Sequence, residues 1–502
     1  MISYYKLSAI VLIALISGCQ SPSEKMNPTK PNFIFLMADD LGFGDVAYNG
    51  NLHVQTPVLD QMAESGIQFT RFYAAAPVCT PTRVSCLTGR HPARVNMTWA
   101  FRGSLPDEEI TMAEALKEYG YTTGHFGKWH VGQLSKTMEQ SYSGIPRSEE
   151  LYSPPWENGF DVCFSVENSV PCYNPYYLAG GDFGTEGYRF VMDRPVEKGQ
   201  REGGFVWRDR FWTGPGQFHD DWLEGPLPEI LIDQALAFID DAYQKEAPFL
   251  ALIWFSTPHT PVVSGNEHRV QYHELSMEEQ HWYGSITAMD EQIGRLRQGL
   301  KTRGLSDNTV LWFCSDNGPS WIHDLNSAGP YRGKKGTLWE GGIRVPAILE
   351  WPGLSNTTGE IATPITTSDF LPTILEYLSE IEQKAIIPEN RPVDGISVLD
   401  LLSGKTQKRN SPIGFQAPVM ANQAQNTKSW SQVSGRQIAW MQEDYKIISL
   451  DDGERWELYD MVNDSAETTD IAKDHPDILR KMVKEVSAWI ESCQKSSEGY
   501  DY

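Results

Sequence analysis

The 502-residue sequence has few long apolar runs, few cysteines and little positive charge. Its longest mostly apolar run, residues 7–16, is too short to cross a bilayer as a mature helix, and no comparable run follows it, so we expect a soluble body. Seven cysteines in a chain of this length exclude a small disulfide-stapled scaffold. Lysine and arginine number 42 against 66 aspartates and glutamates, and this net charge of −24 argues against general affinity for nucleic acid or anionic surfaces. An anionic substrate would therefore need a local cationic pocket.

The amino-terminal residues have the pattern of an export signal. Lys6 precedes the apolar run, and small residues follow it up to Cys19. Residues 16–19, Ile-Ser-Gly-Cys, are similar to a bacterial lipobox, which implies cleavage before Cys19 and lipidation of its thiol. The alternative is an ordinary signal peptide that is cut nearby. With lipidation, the protein would be an exported bacterial lipoprotein of the periplasm or outer membrane, attached to the membrane through its lipid anchor only.

Short apolar runs alternate with helical patterns along the first three quarters of the chain. The runs at 33–38, 249–255 and 309–314 predict strands that are buried on both faces. Amphipathic patterns predict helices at residues 56–66, 112–119, 228–244 and 277–300. This alternation predicts an α/β fold in which helices cover both faces of a large, mostly parallel sheet. Polar residues follow the carboxyl ends of the strands, where ligands bind in open α/β sheets.

Two segments depart from this alternation. Residues 135–225 are rich in Gly, Pro, Tyr and Trp and have no clear period, which predicts a long insertion of loops. Beyond Thr373 the elements become shorter, with strands predicted at 437–450 and 457–460 and a closing helix at 475–490. We therefore divide the chain into a signal peptide at 1–18, a tether at 19–30, a catalytic domain at 31–384 and a smaller C-terminal α+β subdomain at 385–502.

Five residues of the insertion allow two interpretations. They could form an exposed sugar platform, because aromatic faces stack on sugar rings and arginines pair with anionic groups, or a lid that packs on its own aromatics. These residues are Trp207, Arg208, Arg210, Phe211 and Trp212.

Three further cysteines raise a smaller question. Cys163 and Cys172 are close enough in sequence to pair in an oxidising compartment, and they could equally remain free. Cys314 lies inside an apolar run, which is typical of an inert core thiol.

The most informative stretch is residues 79–90, CTPTRVSCLTGR. Its Cys-x-Pro-x-Arg core followed by Leu-Thr-Gly-Arg resembles the signature of the type I, formylglycine-dependent sulfatases, which include bacterial polysaccharide sulfatases and have an alkaline phosphatase-like fold. The family usually has Ser where this chain has Thr82, and Thr keeps the hydroxyl. The resemblance implies that a maturase oxidises Cys79 to formylglycine (3-oxoalanine), the nucleophile. A lone cysteine is otherwise most often buried or disulfide-bonded.

Two pairs of polar residues follow predicted strands. Asp39 and Asp40 follow the first strand, and Asp316 and Asn317 follow the last of the three. Three carboxylates and an amide oxygen suit a hard cation such as Ca²⁺ rather than Zn²⁺. Either pair alone could be an Asx turn. The resemblance assigns both pairs to one calcium site, with the residue formed from Cys79 as a further ligand.

A Gly-Lys-Trp-His block at residues 127–130 is similar to a second motif of the family. Lys128 and His130 flank Trp129, so on an extended segment their side chains would point to the same side. The resemblance implies that Lys128 contacts the sulfate and that His130 lies beside the formylglycine hydroxyl and acts as a base.

The remaining expected site residues lie further along the chain. His259 matches the family's histidine near the leaving oxygen and is expected to donate a proton to it. Lys335 matches the second sulfate-binding lysine because Gly336 follows it, and Lys334 is the neighbouring alternative. Arg83, within the first motif, is expected to add positive charge to the site.

These observations predict a sulfuric ester hydrolase that removes sulfate from a sulfated polysaccharide or oligosaccharide. The acidic composition is compatible with a marine source, so algal polymers such as ulvan or carrageenan are favoured, while fucoidan and glycosaminoglycans stay open. One alternative is a phosphonate or phosphate ester hydrolase of the same superfamily. The other is a catalytically inactive glycan-binding lipoprotein. The expected partners are the glycan and the maturase, and no nucleic acid.

Overall fold

The computed structural model describes residues 30–138, 146–178, 205–320, 325–354, 358–384, 386, 391–419 and 435–502. The predicted signal peptide, the lipidation of Cys19 and nearly all of the tether lie outside these residues. Within them, every helix is either too short or too polar to span a bilayer.

The described residues contain eighteen strands and ten α-helices. The strands are β1 (Asn32–Ala38), β2 (Ile67–Phe69), β3 (Phe72–Tyr73), β4 (Thr122–Lys128), β5 (Val162–Val166), β6 (Tyr177–Leu178), β7 (Phe205–Val206), β8 (Trp212–Gly214), β9 (Gln217–Phe218), β10 (Phe249–Trp254), β11 (Thr309–Ser315), β12 (Ala347–Glu350), β13 (Gly359–Ile361), β14 (Ile365–Thr366), β15 (Ile413–Pro418), β16 (Arg436–Gln442), β17 (Tyr445–Ser449) and β18 (Glu457–Asp460). The helices are α1 (Pro57–Ser65), α2 (Cys79–Thr88), α3 (Met112–Lys117), α4 (Leu227–Gln244), α5 (Asn266–Arg269), α6 (Met277–Thr302), α7 (Glu340–Ile343), α8 (Phe370–Glu382), α9 (Leu399–Leu402) and α10 (Pro476–Ser497). The four helices predicted before residue 300 are confirmed to within about two residues at each end, the usual uncertainty of a helix boundary.

A ten-stranded sheet forms the centre of the molecule, in the order β13-β2-β12-β11-β1-β10-β4-β5-β8-β9. Five neighbouring strands, β11, β1, β10, β4 and β5, run parallel to one another. On the two sides of this group, β12 pairs antiparallel with β11 and β8 pairs antiparallel with β5. The sheet is therefore mixed but mostly parallel, and the predicted fold class is confirmed.

Strand β1 shows why helices must cover both faces of this sheet. All seven of its residues are buried. Phe33, Phe35 and Met37 belong to the core on one face, with residues of α2, α3 and α8. Ile34 and Leu36 belong to the core on the other face, with residues of α4 and α6. Because side chains alternate along a strand, a continuous apolar run fills two cores at once.

The C-terminal part forms a separate four-stranded antiparallel sheet in the order β15-β16-β17-β18. Ile438 and Ile447 pack under α10 against Met482 and Val486. The opposite face packs on Tyr73 and on the segment around residues 338–343 of the main domain. This arrangement confirms the smaller α+β unit.

The prediction that residues 135–225 form only loops is wrong for part of the segment. Strand β5 is the fifth parallel strand of the central sheet, and β8 and β9 extend the same edge. The five-residue run of β5 contains Cys and Ser and is too short to stand out from its Gly- and Pro-rich surroundings.

Two members of the suggested sugar platform are packed inside this edge. Phe211 is fully buried and stacks on Phe164 with ring centroids 4.4 Å apart. Trp212 is buried against Phe218 and Trp156. Phe211 and Trp212 therefore pack on other aromatic side chains, which is the second of the two interpretations, and do not offer a ring face to a sugar.

The other three members differ in exposure. The Arg210 guanidinium lies 4.6 Å from the ring centre of Tyr176 and donates to the Trp207 carbonyl at 2.7 Å. Trp207 is half-buried and Arg208 is exposed.

The cysteines among the described residues are all free thiols, so Cys163 and Cys172 are not paired. Burial raises the pKa of each of these two thiols to about 12. Burial also raises the pKa of the Cys314 thiol well above its ordinary value, in keeping with an inert core position.

Candidate functional site

The predicted site residues follow neighbouring parallel strands at one edge of the sheet. Asp39 and Asp40 come directly after β1, and Asp316 and Asn317 come directly after β11. Lys128 ends β4, while the segment after β10 carries His259. Because the carboxyl ends of parallel strands lie at the same edge, the topology brings these side chains together.

Two of these residues have strained backbones. Asp40 has φ 63° and His130 has φ 59°, in the left-handed region that non-glycine residues rarely adopt. The chain therefore leaves the extended conformation at His130, so the condition under which Lys128 and His130 would point to the same side is not met. The turn is held because the backbone N–H groups of Trp129 and His130 donate to the carbonyls of Val166 and Glu167 at 2.8 and 3.1 Å. Strain of this kind is typical of functional sites.

Two lysines reach the first aspartate pair. Lys128 Nζ lies 2.7 Å from Asp39 Oδ2, and both side chains are fully buried. Lys335 Nζ lies 2.5 Å from Asp40 Oδ1, which also accepts a hydrogen bond from Asn317 Nδ2 at 2.7 Å. Burial alone would raise the pKa of Asp39, but the charges of Lys128, His259 and Arg83 outweigh it and hold that pKa well below its usual range.

Arg83 connects the second pair to the rest of the site. Its guanidinium donates to Asp316 Oδ2 from Nη2 at 2.7 Å and from Nε at 3.2 Å, and to the Lys128 carbonyl from Nη1 at 2.8 Å. It also lies 5.0 Å from the ring centre of Trp254. Arg83 thus adds positive charge to the cluster, as expected, and at the same time joins the ends of β4 and β11.

Cys79 is the first residue of α2, and every residue of this helix is buried. Thr82 Oγ1 donates to the carbonyls of Ala76 and Val78 at 3.0 and 3.1 Å. These bonds fix the turn that leads into Cys79, and a serine hydroxyl at the same position has the same chemistry. Burial raises the pKa of the Cys79 thiol, and the charges of Lys128 and Lys335 act in the opposite direction.

His259 is oriented by a backbone carbonyl. Its Nδ1 lies 2.7 Å from the Thr260 carbonyl oxygen, which can only accept, so Nδ1 carries a proton and Nε2 faces the cluster 3.7 Å from Asp40 Oδ2. Burial, opposed by the charge of Asp39, lowers the pKa of His259 to about 4. This lowered pKa favours a neutral His259 in the ligand-free protein, and the expected donation of a proton to the leaving oxygen stays a prediction.

His130 is fully buried, whereas 23% of the His259 side chain is exposed. Burial lowers the pKa of His130 well below its ordinary value, and the charges of Lys128 and Arg83 act in the same direction. A neutral imidazole can accept a proton, which suits the role expected of this residue.

The cluster also contains two buried acceptors without a hydrogen-bond donor among the described residues. They are Asp39 Oδ1 and Asn317 Oδ1. Buried acceptors left without a partner are costly, and both are oxygens of the kind that bind hard cations. Ligand atoms of Asp39, Asp40 and His259 lie within 4.8 Å of one another. The donor set therefore fits an oxygen-preferring divalent cation.

Two residues of this site were not predicted from the sequence. Ser169 Oγ donates to Asp39 Oδ2 at 3.1 Å, and the Phe101 ring lies edge-on to the His130 ring at 4.6 Å. Ser169 follows β5 by three residues, so recognising that strand would have revealed it. Phe101 lies in an irregular turn, and nothing in its local pattern indicates this contact.

A sequence profile of the family described as Sulfatase matches residues 31–380, and one described as N-sulphoglucosamine sulphohydrolase, C-terminal, matches residues 333–495. Arylsulfatase G of Canis lupus familiaris is 30% identical over 420 residues, which cover 79% of this chain and 71% of that protein. Arylsulfatase D of Homo sapiens is 30% identical over 455 residues, with 79% and 72% covered.

Solved structures agree with these matches. The structure of Ps i-CgsB in complex with k-i-k-neocarrahexaose has a TM-score of 0.71 at 25% identity and covers 94% of this chain and 97% of that one. A Bacteroides thetaiotaomicron protein from work on the metabolism of multiple glycosaminoglycans has a TM-score of 0.69 at 25% identity, with 92% and 99% covered. The phosphonate monoester hydrolase of Agrobacterium radiobacter, at 19% identity and a TM-score of 0.61, shares the fold.

Proposed function

The chain belongs to the sulfatase family of sulfuric ester hydrolases, and on that premise we propose that it removes sulfate from a sulfated glycan through a formylglycine made from Cys79. The observation that carries the proposal is the position of Cys79 at the first turn of a buried helix, within the field of two lysines. The positive end of a helix and two ammonium groups together favour a bound anion.

The modification solves a chemical problem. A sulfated serine would be a stable ester, whereas the hydrated aldehyde offers one hydroxyl to attack sulfur and a second whose deprotonation releases the sulfate. An unmodified Cys79 would be a weak nucleophile, because burial raises the pKa of its thiol and so disfavours the reactive thiolate.

The side chains around residue 79 divide the remaining work. Lys128 and Lys335 bind and orient the sulfate oxygens as point charges. His259 Nε2 donates a proton to the departing sugar oxygen, and the negative charge of a bound sulfate ester favours its protonated form. His130 accepts a proton from residue 79 when sulfate is released.

Asp39, Asp40, Asp316 and Asn317 would hold one calcium ion, with residue 79 as a further ligand. The two buried oxygens without donors support this assignment. When bound, such an ion supplies a Lewis acid that polarises a sulfate oxygen.

The glycan substrate is supported by relatives rather than by contacts in this chain. The similar structure solved with neocarrahexaose and the similar protein from glycosaminoglycan metabolism both point to sulfated saccharides. We favour an algal galactan or ulvan over a glycosaminoglycan because of the acidic composition. A panel of defined sulfated oligosaccharides, assayed for released sulfate, separates these substrates.

Location is part of the same proposal. The lipobox-like residues 16–19 support export and lipidation at Cys19, in the periplasm or outer membrane, where large sulfated glycans are met. Mass analysis of the mature amino terminus and a Cys19→Ser variant test this, since the variant should lose membrane association while keeping its activity.

The central experiment is mass spectrometry of the active protein together with a Cys79→Ala variant. We expect a peptide in which Cys79 is converted from thiol to aldehyde, and we expect the variant to lose turnover. Active enzyme with only unmodified Cys79 would contradict the mechanism, and glycan binding without turnover in the wild type would favour the inactive binding protein.

The likeness in fold to a phosphonate monoester hydrolase motivates a second assay. Aryl sulfate and aryl phosphate are compared at equal concentration. Two sulfate-binding lysines and the Asp/Asn donor set favour the sulfate, so faster turnover of the phosphate would favour the alternative function.

A further inference from the structure

The loop that carries Lys335 lies between two segments of the active site. The Lys335 backbone N–H donates to the Pro319 carbonyl at 3.0 Å, two residues beyond Asn317. The Gly336 backbone N–H donates to the Pro77 carbonyl at 2.8 Å, two residues before Cys79. These two hydrogen bonds hold the loop to the main domain at the positions of Lys335 and Gly336.

A side chain from the C-terminal sheet holds the other side of the same loop. Gln437, on β16, is buried, with 4% of its surface exposed. Its Nε2 donates to the Gly336 carbonyl at 2.8 Å and to the Pro418 carbonyl at 3.1 Å, while its Oε1 accepts from the Leu338 backbone N–H at 3.1 Å. Because the Gln437 amide meets two carbonyl oxygens on one side and an N–H group on the other, its NH₂ group must face the carbonyls. Both protons of the NH₂ group then donate hydrogen bonds.

This contact differs from ordinary domain packing. Gly336 is fixed on both sides, by Pro77 at its N–H and by Gln437 at its carbonyl. The residue before it, Lys335, extends its ammonium to Asp40. Further along the loop, the Glu340 N–H donates to Glu467 at 2.7 Å, so a second anchor keeps the downstream half in place.

We infer that Gln437 is a positioning residue for sulfate binding, which acts through the loop to hold the Lys335 ammonium where the sulfate binds. This inference rests on the role proposed for Lys335. Gln437, a residue of the C-terminal subdomain, would thus help to position an active-site lysine. Its own side chain contacts neither the reacting atoms nor the substrate.

The test is a double-mutant cycle with Gln437→Met and Lys335→Ala. Methionine keeps the volume of glutamine and removes all three hydrogen bonds. With nitrophenyl sulfate, we expect Gln437→Met to lower kcat/KM by roughly 10- to 100-fold, the scale of a small displacement of a positioned group, with most of the change in KM. Combined with Lys335→Ala, the same change should add less than about threefold, because the group that Gln437 positions is already gone.

Binding of inorganic sulfate provides a readout that does not need turnover. Calorimetry should show weaker binding in Gln437→Met and in Lys335→Ala, and no further weakening in the double variant. Gln437→Asn, whose shorter side chain cannot span Gly336 and Leu338 together, should behave like Gln437→Met if the bridge is what matters.

Ile438→Ala is the matched control. Ile438 is the next residue on β16 but points to the opposite face, where it packs with Met482 and Val486. It should lower the melting temperature and leave kcat/KM unchanged. A similar loss of kcat/KM in this control would mean that the sheet's stability, and not the amide, sets activity.

The outcomes separate the inference from the proposed function. If Gln437→Met lowers kcat/KM or sulfate binding by the same factor in the Lys335→Ala variant as in the wild type, the inference about Gln437 is overturned and the proposed function is not. An unchanged Lys335→Ala enzyme would overturn the assignment of Lys335 and, with it, this inference.

Discussion

His259 shows how one backbone contact decides what a side chain can do. The Thr260 carbonyl accepts from Nδ1 and leaves Nε2 facing the aspartate cluster. Burial favours the neutral imidazole, because it lowers the pKa of His259 to about 4. In the proposed mechanism, the negative charge of the bound sulfate ester would raise this pKa, so that His259 could then donate its proton.

Loss of His259 should therefore matter most when the leaving group is poor. A sugar alkoxide needs a proton as its bond to sulfur breaks, whereas nitrophenolate can leave unaided. His259→Ala should slow a sugar sulfate by roughly 10²–10⁴-fold, the range of general acid catalysis, and nitrophenyl sulfate much less.

His130→Ala serves as the comparison, because impaired release of sulfate from residue 79 should slow both substrates alike. Turnover of the two substrates is measured for both variants. Equal slowing of both substrates by His259→Ala would instead favour a sulfate-binding role for this histidine.

At the residue scale, the position of a site residue could be predicted from the sequence where its chemical type and its place directly after an apolar run both indicated the site. The Asp39–Asp40 and Asp316–Asn317 pairs directly follow apolar runs, so their convergence could be predicted. The turn at His130 could not, because its left-handed backbone depends on hydrogen bonds to Val166 and Glu167 from a strand that the sequence conceals. The role of Gln437 could not be predicted for a similar reason, since its partners in the loop, Gly336 and Leu338, lie 101 and 99 residues earlier in the chain.

At the scale of elements, one carboxylate joins three segments that are distant in sequence. Asp394 accepts hydrogen bonds from Arg94 Nε at 2.7 Å and Nη2 at 2.8 Å, from the His91 backbone N–H at 2.6 Å and from Trp489 of α10 at 2.9 Å. Burial would raise the pKa of Asp394, but the charge of Arg94 and these hydrogen bonds outweigh it and hold the pKa well below its usual range. A carboxyl group with a lowered pKa stabilises the fold only while it is ionised.

The stability of the protein should therefore depend on Asp394 at neutral pH and not in acid. Its contribution is complete above the unfolded-state pKa of about 3.9 and is lost as the pH falls through the lower folded-state pKa. Asp394→Asn should lower the free energy of unfolding at pH 7 by about 3 kcal/mol, the cost of breaking a buried ion pair.

Chemical denaturation of Asp394→Asn and wild type at several pH values checks this. The difference in their free energy of unfolding should begin to narrow below about pH 4 and close as the pH falls through the lower folded-state pKa. Asp400→Asn, at an exposed ion pair with Lys405, is the control and should stay within about 0.5 kcal/mol throughout. If the difference in free energy of unfolding between Asp394→Asn and the wild type did not change with pH, the stabilisation would not come from the ionised form of Asp394.

Element prediction succeeded where a run was long and uniformly apolar, as in β1, β10 and β11. It failed for β5, whose five residues are interrupted by Cys and Ser. The strand is specified mainly by its pairing with β4, a long-range contact that local sequence does not encode.

At the scale of the whole molecule, a buried charge network joins the main domain to the C-terminal sheet. Lys446 of β17 lies 3.0 Å from Glu340 and 2.7 Å from Glu467, and all three side chains are fully buried. Tyr73 donates to the same Glu340 at 2.9 Å. Arg344 also lies 3.4 Å from Glu340, so removing Lys446 would take the cation from Glu467 and leave Glu340 paired with Arg344.

Lys446→Met should lower the free energy of unfolding by about 3–5 kcal/mol, as expected when one partner of a buried pair is lost. Thermal or denaturant unfolding measures the change. Adding Glu467→Gln to the same chain should recover part of the loss, because it neutralises the carboxylate that has lost its cation. Lys405→Met, at the exposed pair with Asp400, should change stability by less than about 1 kcal/mol. Similar losses in both lysine variants would contradict a special role for the buried network.

Calcium should stabilise the folded protein as well as support turnover. A ligand that binds only the folded state adds about 2.7 kcal/mol when its free concentration is a hundred times its dissociation constant. We expect chelation to lower the melting temperature and calcium to restore it. In Asp39→Ala, which removes one of the buried oxygens without a donor, the calcium-dependent shift should be much smaller. A wild-type melting temperature that does not respond to calcium would contradict the assigned ligands.

The composition of the cluster also sets a charge balance. Three carboxylates, Asp39, Asp40 and Asp316, stand against three cations on Arg83, Lys128 and Lys335. A divalent metal would leave an excess of two positive charges, which a sulfate ester halves and a free sulfate dianion cancels. Inorganic sulfate should therefore inhibit more strongly than methyl sulfate at equal ionic strength, and equal inhibition constants would contradict this balance. The enzyme would then hold its product more tightly than its substrate, and its speed would depend on how fast sulfate leaves.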